Sequence, residues 1–190
     1  MYPGTQASLH PDRAAVIMAR SGETITYAEL DRRSNQLAHL LRAHGLQRLD
    51  HYASFMENHP RCVEVSAAAE RAGLYITCVN SYLTAEELAY IINNSESKAL
   101  VTTRAKRDIA IAAARQCPGL RLCLIIEGSG DDGRSSQAIA GDRRAAGHAG
   151  GRWIAGAPPT RPGTTGRPKG ILRPLPEPPA QPLPLFEFLA

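Results

Sequence analysis

The sequence predicts an α/β fold in which a mainly parallel sheet is covered on both faces by helices. Two observations support this prediction. Between residues 50 and 127, short apolar segments typical of buried strands alternate with segments of helical periodicity. Such alternation implies crossover connections, which give parallel strands lying between two helical layers. In addition, Thr26 and Thr84 are each followed three residues later by a glutamate, which is the capping-box signal for the start of a helix.

The N-terminal part of the chain predicts an extended segment, a hairpin and a helix. Residues 1–12 are expected to be extended because prolines interrupt them. An apolar run at residues 14–19 predicts a buried strand, and residues 24–27 predict its hairpin partner. The next helix has leucines at helical spacing, and it is expected to end at Gly45, a residue type that favours the left-handed conformation after a helix.

The following region alternates strands and helices as far as residue 127. Apolar segments predict strands, and the segments of helical spacing between them predict helices. The strands are expected at residues 50–56, 74–79, 98–102 and 122–126, and the helices at residues 60–73, 84–95 and 104–115. This part of the chain should therefore contain strands joined by crossover helices.

Composition and charge exclude several classes of function. The net charge is +4, but residues 1–127 contain 14 Lys/Arg against 13 Asp/Glu, so the excess lies in residues 128–190. A basic stripe with interleaved aromatic residues is absent, which argues against a nucleic-acid partner. No secretory signal and no apolar run of about 20 residues is present, so we expect no transmembrane segment. The four cysteines lack metal-ligand spacing and are expected to be reduced thiols of a cytoplasmic protein without a metal site.

One stretch near the C-terminus has the composition of an anion-binding loop: Gly163-Thr164-Thr165-Gly166-Arg167-Pro168-Lys169-Gly170. Its glycines let the backbone approach a ligand, its threonines offer hydroxyl donors, and Lys169 offers a compact cation. These groups predict a site for a polyphosphate. The stretch differs from the common P-loop, in which Ser or Thr directly follows the lysine. A glycine- and threonine-rich surface turn with a stray basic residue is the alternative interpretation.

This stretch resembles the first core motif of the adenylate-forming superfamily, which includes acyl-CoA synthetases, aryl-CoA ligases, luciferases and peptide-synthetase adenylation domains. Residues 13–127 also resemble these enzymes in the order and spacing of their elements, and are most similar to bacterial fatty-acyl-CoA synthetases. The resemblance implies ATP-dependent activation of a fatty or other carboxylic acid to an acyl-adenylate and then to acyl-CoA, with Mg²⁺ accompanying ATP. It also implies a set of ATP phosphate-binding residues: Gly163, Thr164, Thr165, Gly166, Lys169 and Gly170.

Residues 128–162 differ in composition from both neighbouring segments. Glycine, alanine and arginine dominate them, and this composition predicts disorder. We therefore divide the chain into a truncated N-terminal α/β subdomain at residues 1–127, a disordered or frame-disrupted segment at residues 128–162, and the phosphate motif with a proline-rich tail at residues 163–190. Out-of-frame translation of a GC-rich gene and a natural insertion are the two explanations for the middle segment.

The resemblance further predicts that this chain is an N-terminal fragment. The adenine motif, the ribose-binding aspartate and the catalytic lysine of the superfamily have no counterpart in it, so we assign no catalytic residue and expect the chain alone to be inactive. A non-catalytic α/β fragment that only packs or associates is the alternative from another class. A dinucleotide-binding domain fits the alternation, but no strand is followed by Gly-x-Gly-x-x-Gly.

Overall fold

A computed structural model describes residues 3–126 and the backbone of three short strands at residues 136–138, 160–161 and 169–170. The proline-rich tail, most of the phosphate motif and most of residues 128–162 lie outside the described residues. The helices are α1 (Pro3–Leu9), α2 (Tyr27–Ala43), α3 (Cys62–Ala72), α4 (Ala85–Asn94) and α5 (Arg107–Ala114). The strands are β1 (Ala14–Ile17), β2 (Thr24–Thr26), β3 (His51–Phe55), β4 (Tyr75–Val79), β5 (Ser97–Thr103), β6 (Leu122–Ile126), β7 (Ser136–Ala138), β8 (Thr160–Arg161) and β9 (Lys169–Gly170).

The main sheet has the strand order β4-β3-β5-β6-β7. Strands β4, β3, β5 and β6 run parallel to their neighbours, and β7 joins β6 in the antiparallel direction. The predicted, mainly parallel sheet is therefore confirmed. Strands β7 and β8 lie in the segment for which the sequence predicted no regular structure.

Helices cover both faces of this sheet, as predicted. On one face, α2 and α3 pack through residues such as Leu41 and Ala68. On the other face, α4 and α5 pack through residues such as Leu88 and Ala113. Burying one large apolar side chain contributes about 1.5–3 kcal/mol, so these two interfaces hold the layers together. Within the described residues, no helix has the length and apolar character that a membrane crossing requires.

The two predicted capping boxes are present. The hydroxyl of Thr26 accepts a hydrogen bond from the Glu29 N–H at 3.2 Å, and the Glu29 carboxylate accepts one from the Thr26 N–H at 3.0 Å. The same reciprocal pair joins Thr84 and Glu87 at 3.3 and 2.9 Å. These bonds satisfy backbone donors that have no partner inside the helix, which explains why α2 and α4 start where they do.

Two predictions for the N-terminal part are wrong. Residues 1–12 were expected to be extended, but residues 3–9 form α1. Pro3 is its first residue, a position at which a helix tolerates proline because no N–H is needed there. The strand at residues 14–19 was expected to be buried, but β1 pairs only with β2 in a separate two-stranded sheet, and Ile17 is exposed.

Candidate phosphate-binding site

The predicted phosphate loop is closed at its base by a short antiparallel ladder. Thr160 of β8 lies opposite Gly170 of β9, and Arg161 lies opposite Lys169. Residues 162–168 therefore connect two paired strands, whose backbones lie about 4.8 Å apart. The structure thus places the backbone of Lys169 and Gly170, whereas the remaining predicted phosphate-binding residues lie outside the described part of the chain: Gly163, Thr164, Thr165 and Gly166.

The main sheet reverses its direction of winding between β3 and β5. The chain passes from β3 to β4 on one side and then returns to β5 on the other side. In open sheets of this kind, ligands bind beyond the carboxyl ends of the strands at such a reversal. Several polar or charged residues follow β3 and β5 at this edge: Glu57, Asn58, His59, Arg104 and Lys106.

Two threonines tie the carboxyl ends of β3 and β5 together. Thr102 donates a hydrogen bond from its hydroxyl to the carbonyl oxygen of Phe55 at 2.6 Å. Thr103 donates from its hydroxyl to the Glu57 carboxylate, also at 2.6 Å. Both threonines are buried, so these bonds fix the edge at which the sheet reverses. Sequence reasoning did not identify this pair, although adjacent hydroxyl residues at the end of a predicted strand were a visible signal.

A cationic group lies beside an exposed aromatic ring at the same edge. The Lys106 ammonium lies 5.5 Å from the centroid of the Tyr82 ring, within the range of a cation–π contact. Tyr82 is 90% exposed, so this pair faces solvent. A positive charge at the carboxyl edge suits an anionic ligand, and sequence reasoning missed it because Tyr82 and Lys106 belong to different strand–helix units.

His59 at this edge is a half-buried imidazole. Burial lowers its pKa, and the Arg61 guanidinium acts in the same direction, whereas Glu57 opposes the change. Its Nδ1 accepts a hydrogen bond from the Arg61 N–H at 3.2 Å. His59 is therefore neutral at pH 7 and adds no positive charge for an anionic ligand.

Thiolate chemistry and metal binding are not supported within residues 3–126. Burial raises the pKa of the Cys62 thiol and raises that of Cys123 to about 11, so both remain protonated at neutral pH. In the part of the chain that the structure describes, no three His, Cys, Asp or Glu side chains are grouped so that they could hold a metal ion.

A network of ion pairs fixes the start of α3 against α2, next to the carboxyl edge. The buried Glu64 carboxylate lies 3.1 Å from the Arg33 guanidinium and 3.6 Å from that of Arg61. Further along the two helices, Arg71 contacts the Asp31 carboxylate and donates from Nε to the Ser34 hydroxyl at 3.0 Å. Because α3 begins just after the residues that follow β3, these contacts help to position the edge.

The fold is that of a doubly wound α/β protein, and the chain contains a glycine- and threonine-rich, lysine-containing stretch between β8 and β9. The sequence profile of one family, described as AMP-binding enzyme, matches residues 4–174. This match covers nine-tenths of the chain, and the chain therefore belongs to the AMP-binding enzyme family.

Two relatives match this chain over about a fifth of their own length. A medium/long-chain-fatty-acid--CoA/3-oxocholest-4-en-26-oate--CoA ligase of Mycobacterium tuberculosis is 33% identical over 121 residues, which is 64% of this chain and 22% of that protein. Long-chain fatty acid transport protein 1 of Bos taurus is 36% identical over 123 residues, or 65% of this chain and 19% of that protein. The chain thus spans about a fifth of the length of these relatives.

Solved structures show the same fold. A long-chain-fatty-acid CoA ligase from Rhodopseudomonas palustris, described as putative in its own name, matches with a TM-score of 0.67 and 23% identity, covering 89% of this chain and 42% of that one. Acetoacetyl-CoA synthetase from Streptomyces lividans matches with a TM-score of 0.69 and 22% identity, covering 90% of this chain and 29% of that one. At these identities the likeness concerns the fold alone.

Proposed function

We propose that the protein to which these residues belong activates a fatty or other carboxylic acid with ATP and then transfers the acyl group to CoA. One observation supports this proposal most directly: β8 and β9 hold together the two ends of a glycine-threonine-lysine stretch in a member of the AMP-binding enzyme family. Because the chain covers 22% of its M. tuberculosis relative, the activity is proposed for the whole protein.

The proposed reaction has two steps. In the first, a carboxylate oxygen of the acid attacks the α-phosphorus of ATP, and the bond to the bridging oxygen breaks so that pyrophosphate leaves. In the second, the thiol of CoA loses its proton and attacks the acyl carbonyl carbon, and AMP leaves with the electron pair of the broken bond. Negative charge grows on the departing pyrophosphate, so fixed donors and a cation around it lower the barrier.

The residues of the loop have separate proposed roles in holding the triphosphate. Lys169 neutralises the β- and γ-phosphates as a point charge. Thr164 and Thr165 donate hydroxyl hydrogen bonds, and the glycines at positions 163, 166 and 170 allow the backbone to come close to the ligand. Within residues 3–126 no three His, Cys, Asp or Glu side chains are grouped as a metal site, and Mg²⁺ enters the proposal only as the cation that accompanies ATP, with no step assigned to it.

We propose that the acid is a fatty acid. The M. tuberculosis relative is named for medium- and long-chain fatty acids, and the bovine relative is named for long-chain fatty acids. ATP–pyrophosphate exchange measured with the whole protein and a panel of acids tests this substrate class. Exchange that depends on acids of about 8 to 18 carbons supports it, and exchange that depends only on acetate or on an aromatic acid contradicts it.

The role of Lys169 can be tested on this chain directly, because the chain contains only three lysines. An amine-acylating reagent would be applied with and without ATP, and each lysine would be followed by peptide mass spectrometry. We expect ATP to slow acylation of Lys169 several-fold and NAD to have no effect. Lys98, at the amino edge of the main sheet and paired with Asp50 at 2.5 Å, serves as the internal control.

Two variants test the same role of Lys169 through the affinity of the chain for ATP. Lys169→Gln should weaken ATP binding about 10- to 100-fold, because a hydrogen bond to a charged group contributes about 1.5–3 kcal/mol. Arg115→Gln removes the same charge from an exposed position at the end of α5 and should leave the affinity unchanged. Equal effects of the two substitutions, or equal protection of Lys169 by ATP and NAD, would contradict the proposal.

We also propose that the protein functions in the cytoplasm. Cys62, Cys117 and Cys123 carry free thiols, which is the usual state of cysteine in a reducing compartment. Fractionation of expressing cells tests this proposal. Recovery of the protein in the soluble cytoplasmic fraction supports it, and recovery with membranes that persists after a high-salt wash contradicts it.

A further inference from the structure

The amino edge of the main sheet contains a half-buried histidine that the proposed function does not use. His51 is the first residue of β3, and its ring lies 4.7 Å from the ring of Tyr75 on β4. The Nδ1 atom of His51 is buried and forms no hydrogen bond with any of the described residues. Between His51 and Tyr52, the pairing of β3 with β5 also shifts register.

Three charged groups and one aromatic ring lie near this imidazole. Asp50 precedes it on the chain, Glu96 lies in the turn before β5, Lys98 lies on β5, and Tyr75 lies on β4. Burial lowers the pKa of His51; the carboxylates of Glu96 and Asp50 oppose this effect, and the Lys98 ammonium adds to it. Asp50 is itself engaged, since it accepts hydrogen bonds from Lys98 and from the Gln47 N–H.

Backbone strain is concentrated at the same edge. Leu49 and Glu96 have φ angles of 73° and 51°, and among the described residues they are the non-glycine residues with positive φ. Such conformations cost free energy and persist only where surrounding contacts enforce them. Here Leu49 donates its N–H to the carbonyl of Gly73 at 2.8 Å, and Tyr75 donates its N–H to the carbonyl of Asp50 at 2.9 Å.

We propose that His51 makes this edge an acid-sensitive latch, which opens locally around residues 49–51 when the imidazole takes up a proton from solvent. A proton on the buried Nδ1 has no acceptor among the described residues, and the resulting cation lies near Lys98 in a half-buried position. Opening hydrates the imidazolium and releases the left-handed conformation of Leu49. The hydrogen bonds of Leu49 and Tyr75 break, while the interior of β5 and β6 stays paired.

The direction of the pH dependence follows from the lowered pKa. Because the imidazole binds protons less readily in the closed edge than in the open one, closure is fully favoured above the open-state pKa of about 6.5. This contribution is lost as the pH falls from there towards the lower pKa of the closed state. A single proton changes the opening constant by at most tenfold per pH unit, so we expect a rise of up to about tenfold between pH 7.5 and 5.5.

Amide hydrogen exchange of the 190-residue chain over this pH range, corrected for the intrinsic exchange rate, tests the latch. We expect the opening constant at the Leu49 and Tyr75 amides to rise on acidification and that at Leu124, inside β6, to stay unchanged. His51→Gln should remove the rise. His10→Gln, at an exposed position, and His59→Gln, at the opposite edge, should retain it.

Several outcomes would overturn the latch. The first is a rise of the opening constant in His51→Gln equal to that in the unmodified chain, and the second is loss of the rise in His59→Gln. The third is an equal rise of the opening constant at Leu124, which would indicate global unfolding. If His51→Gln does not fold, NMR titration of the His51 ring in the unmodified chain decides, because a pKa at or above 6.5 refutes the proposal.

Discussion

The ion-pair network between α2 and α3 gives the sharpest prediction for the stability of the fold. Glu64 is its centre: the side chain is 5% exposed and lies 3.1 Å from the Arg33 guanidinium and 3.6 Å from that of Arg61. The change Glu64→Gln keeps the shape of the side chain but removes its charge. Two guanidinium groups, 15% and 16% exposed, then lose the carboxylate that offsets their desolvation.

The expected magnitude follows from the burial of the groups left behind. Removing one partner from a fully buried ion pair costs about 3–5 kcal/mol. Here Arg33 keeps a second carboxylate, that of Glu29 at 3.4 Å, and both arginines retain some contact with water. We therefore expect Glu64→Gln to lower the free energy of unfolding by about 2–3 kcal/mol, which is at or below the lower limit of that range.

Urea unfolding at pH 7, followed by circular dichroism, measures this change. The matched control is Glu86→Gln, which removes the same charge from an exposed position in the first turn of α4. Loss of its favourable interaction with the helix dipole should cost no more than about 0.3–1 kcal/mol. If the two substitutions have equal effects, the buried network does not stabilise the α2–α3 interface and the reasoning is wrong.

Three further predictions concern caps, the carboxyl edge and a buried thiol. Thr84→Ala should lower the free energy of unfolding by about 1 kcal/mol in the same assay, because α4 loses its capping box. Thr84→Ser keeps a hydroxyl, so an equal loss of stability in that variant would show that the cap is not the reason. Thr103→Val should cost about 1.5–3 kcal/mol, because Glu57 loses a buried hydroxyl donor, and a neutral result would show that the Thr103–Glu57 contact does not stabilise the edge. Cys123 is buried and has a pKa of about 11, so it should react with iodoacetamide at pH 7 only after urea is added. Rapid labelling of Cys123 in the native chain would refute its assignment to the core.

The sequence predicted the parts of the fold that depend on neighbouring residues. The caps at Thr26 and Thr84 are such parts, because each involves residues only three positions apart. The exposure of Ile17 could not be predicted in this way, because it depends on β1 pairing outside the main sheet. The helix at residues 3–9 was missed because Pro3 was interpreted as a breaker, and whether a proline stops or begins a helix depends on where the helix starts.

For the candidate site too, features that depend on neighbouring residues could be proposed from the sequence, and contacts between distant residues could not. The candidate phosphate-binding stretch is continuous in sequence, so its residue types alone are enough to propose a chemistry for it. The contact between Thr103 and Glu57 joins residues 46 positions apart, and that between Arg71 and Asp31 joins residues 40 positions apart. Such contacts arise from the packing of strands and helices that are distant along the chain, and no local pattern in the sequence specifies them.

The two proposals can be tested independently because they concern different residues, Lys169 of the candidate phosphate-binding stretch and His51 in β3. The Thr103–Glu57 contact lies at the carboxyl edge of the main sheet, whereas His51 begins β3 at the amino edge, about 17 Å away for a strand of five residues. Local opening around Leu49 leaves the Thr103–Glu57 contact intact, and we expect His51→Gln to leave the protection of Lys169 by ATP unchanged. If His51→Gln changed the protection of Lys169 by ATP, the opening would extend across the sheet and the latch would not be local. If Lys169→Gln weakened ATP binding while the pH-dependent exchange at Tyr75 stayed the same, the two edges would act separately.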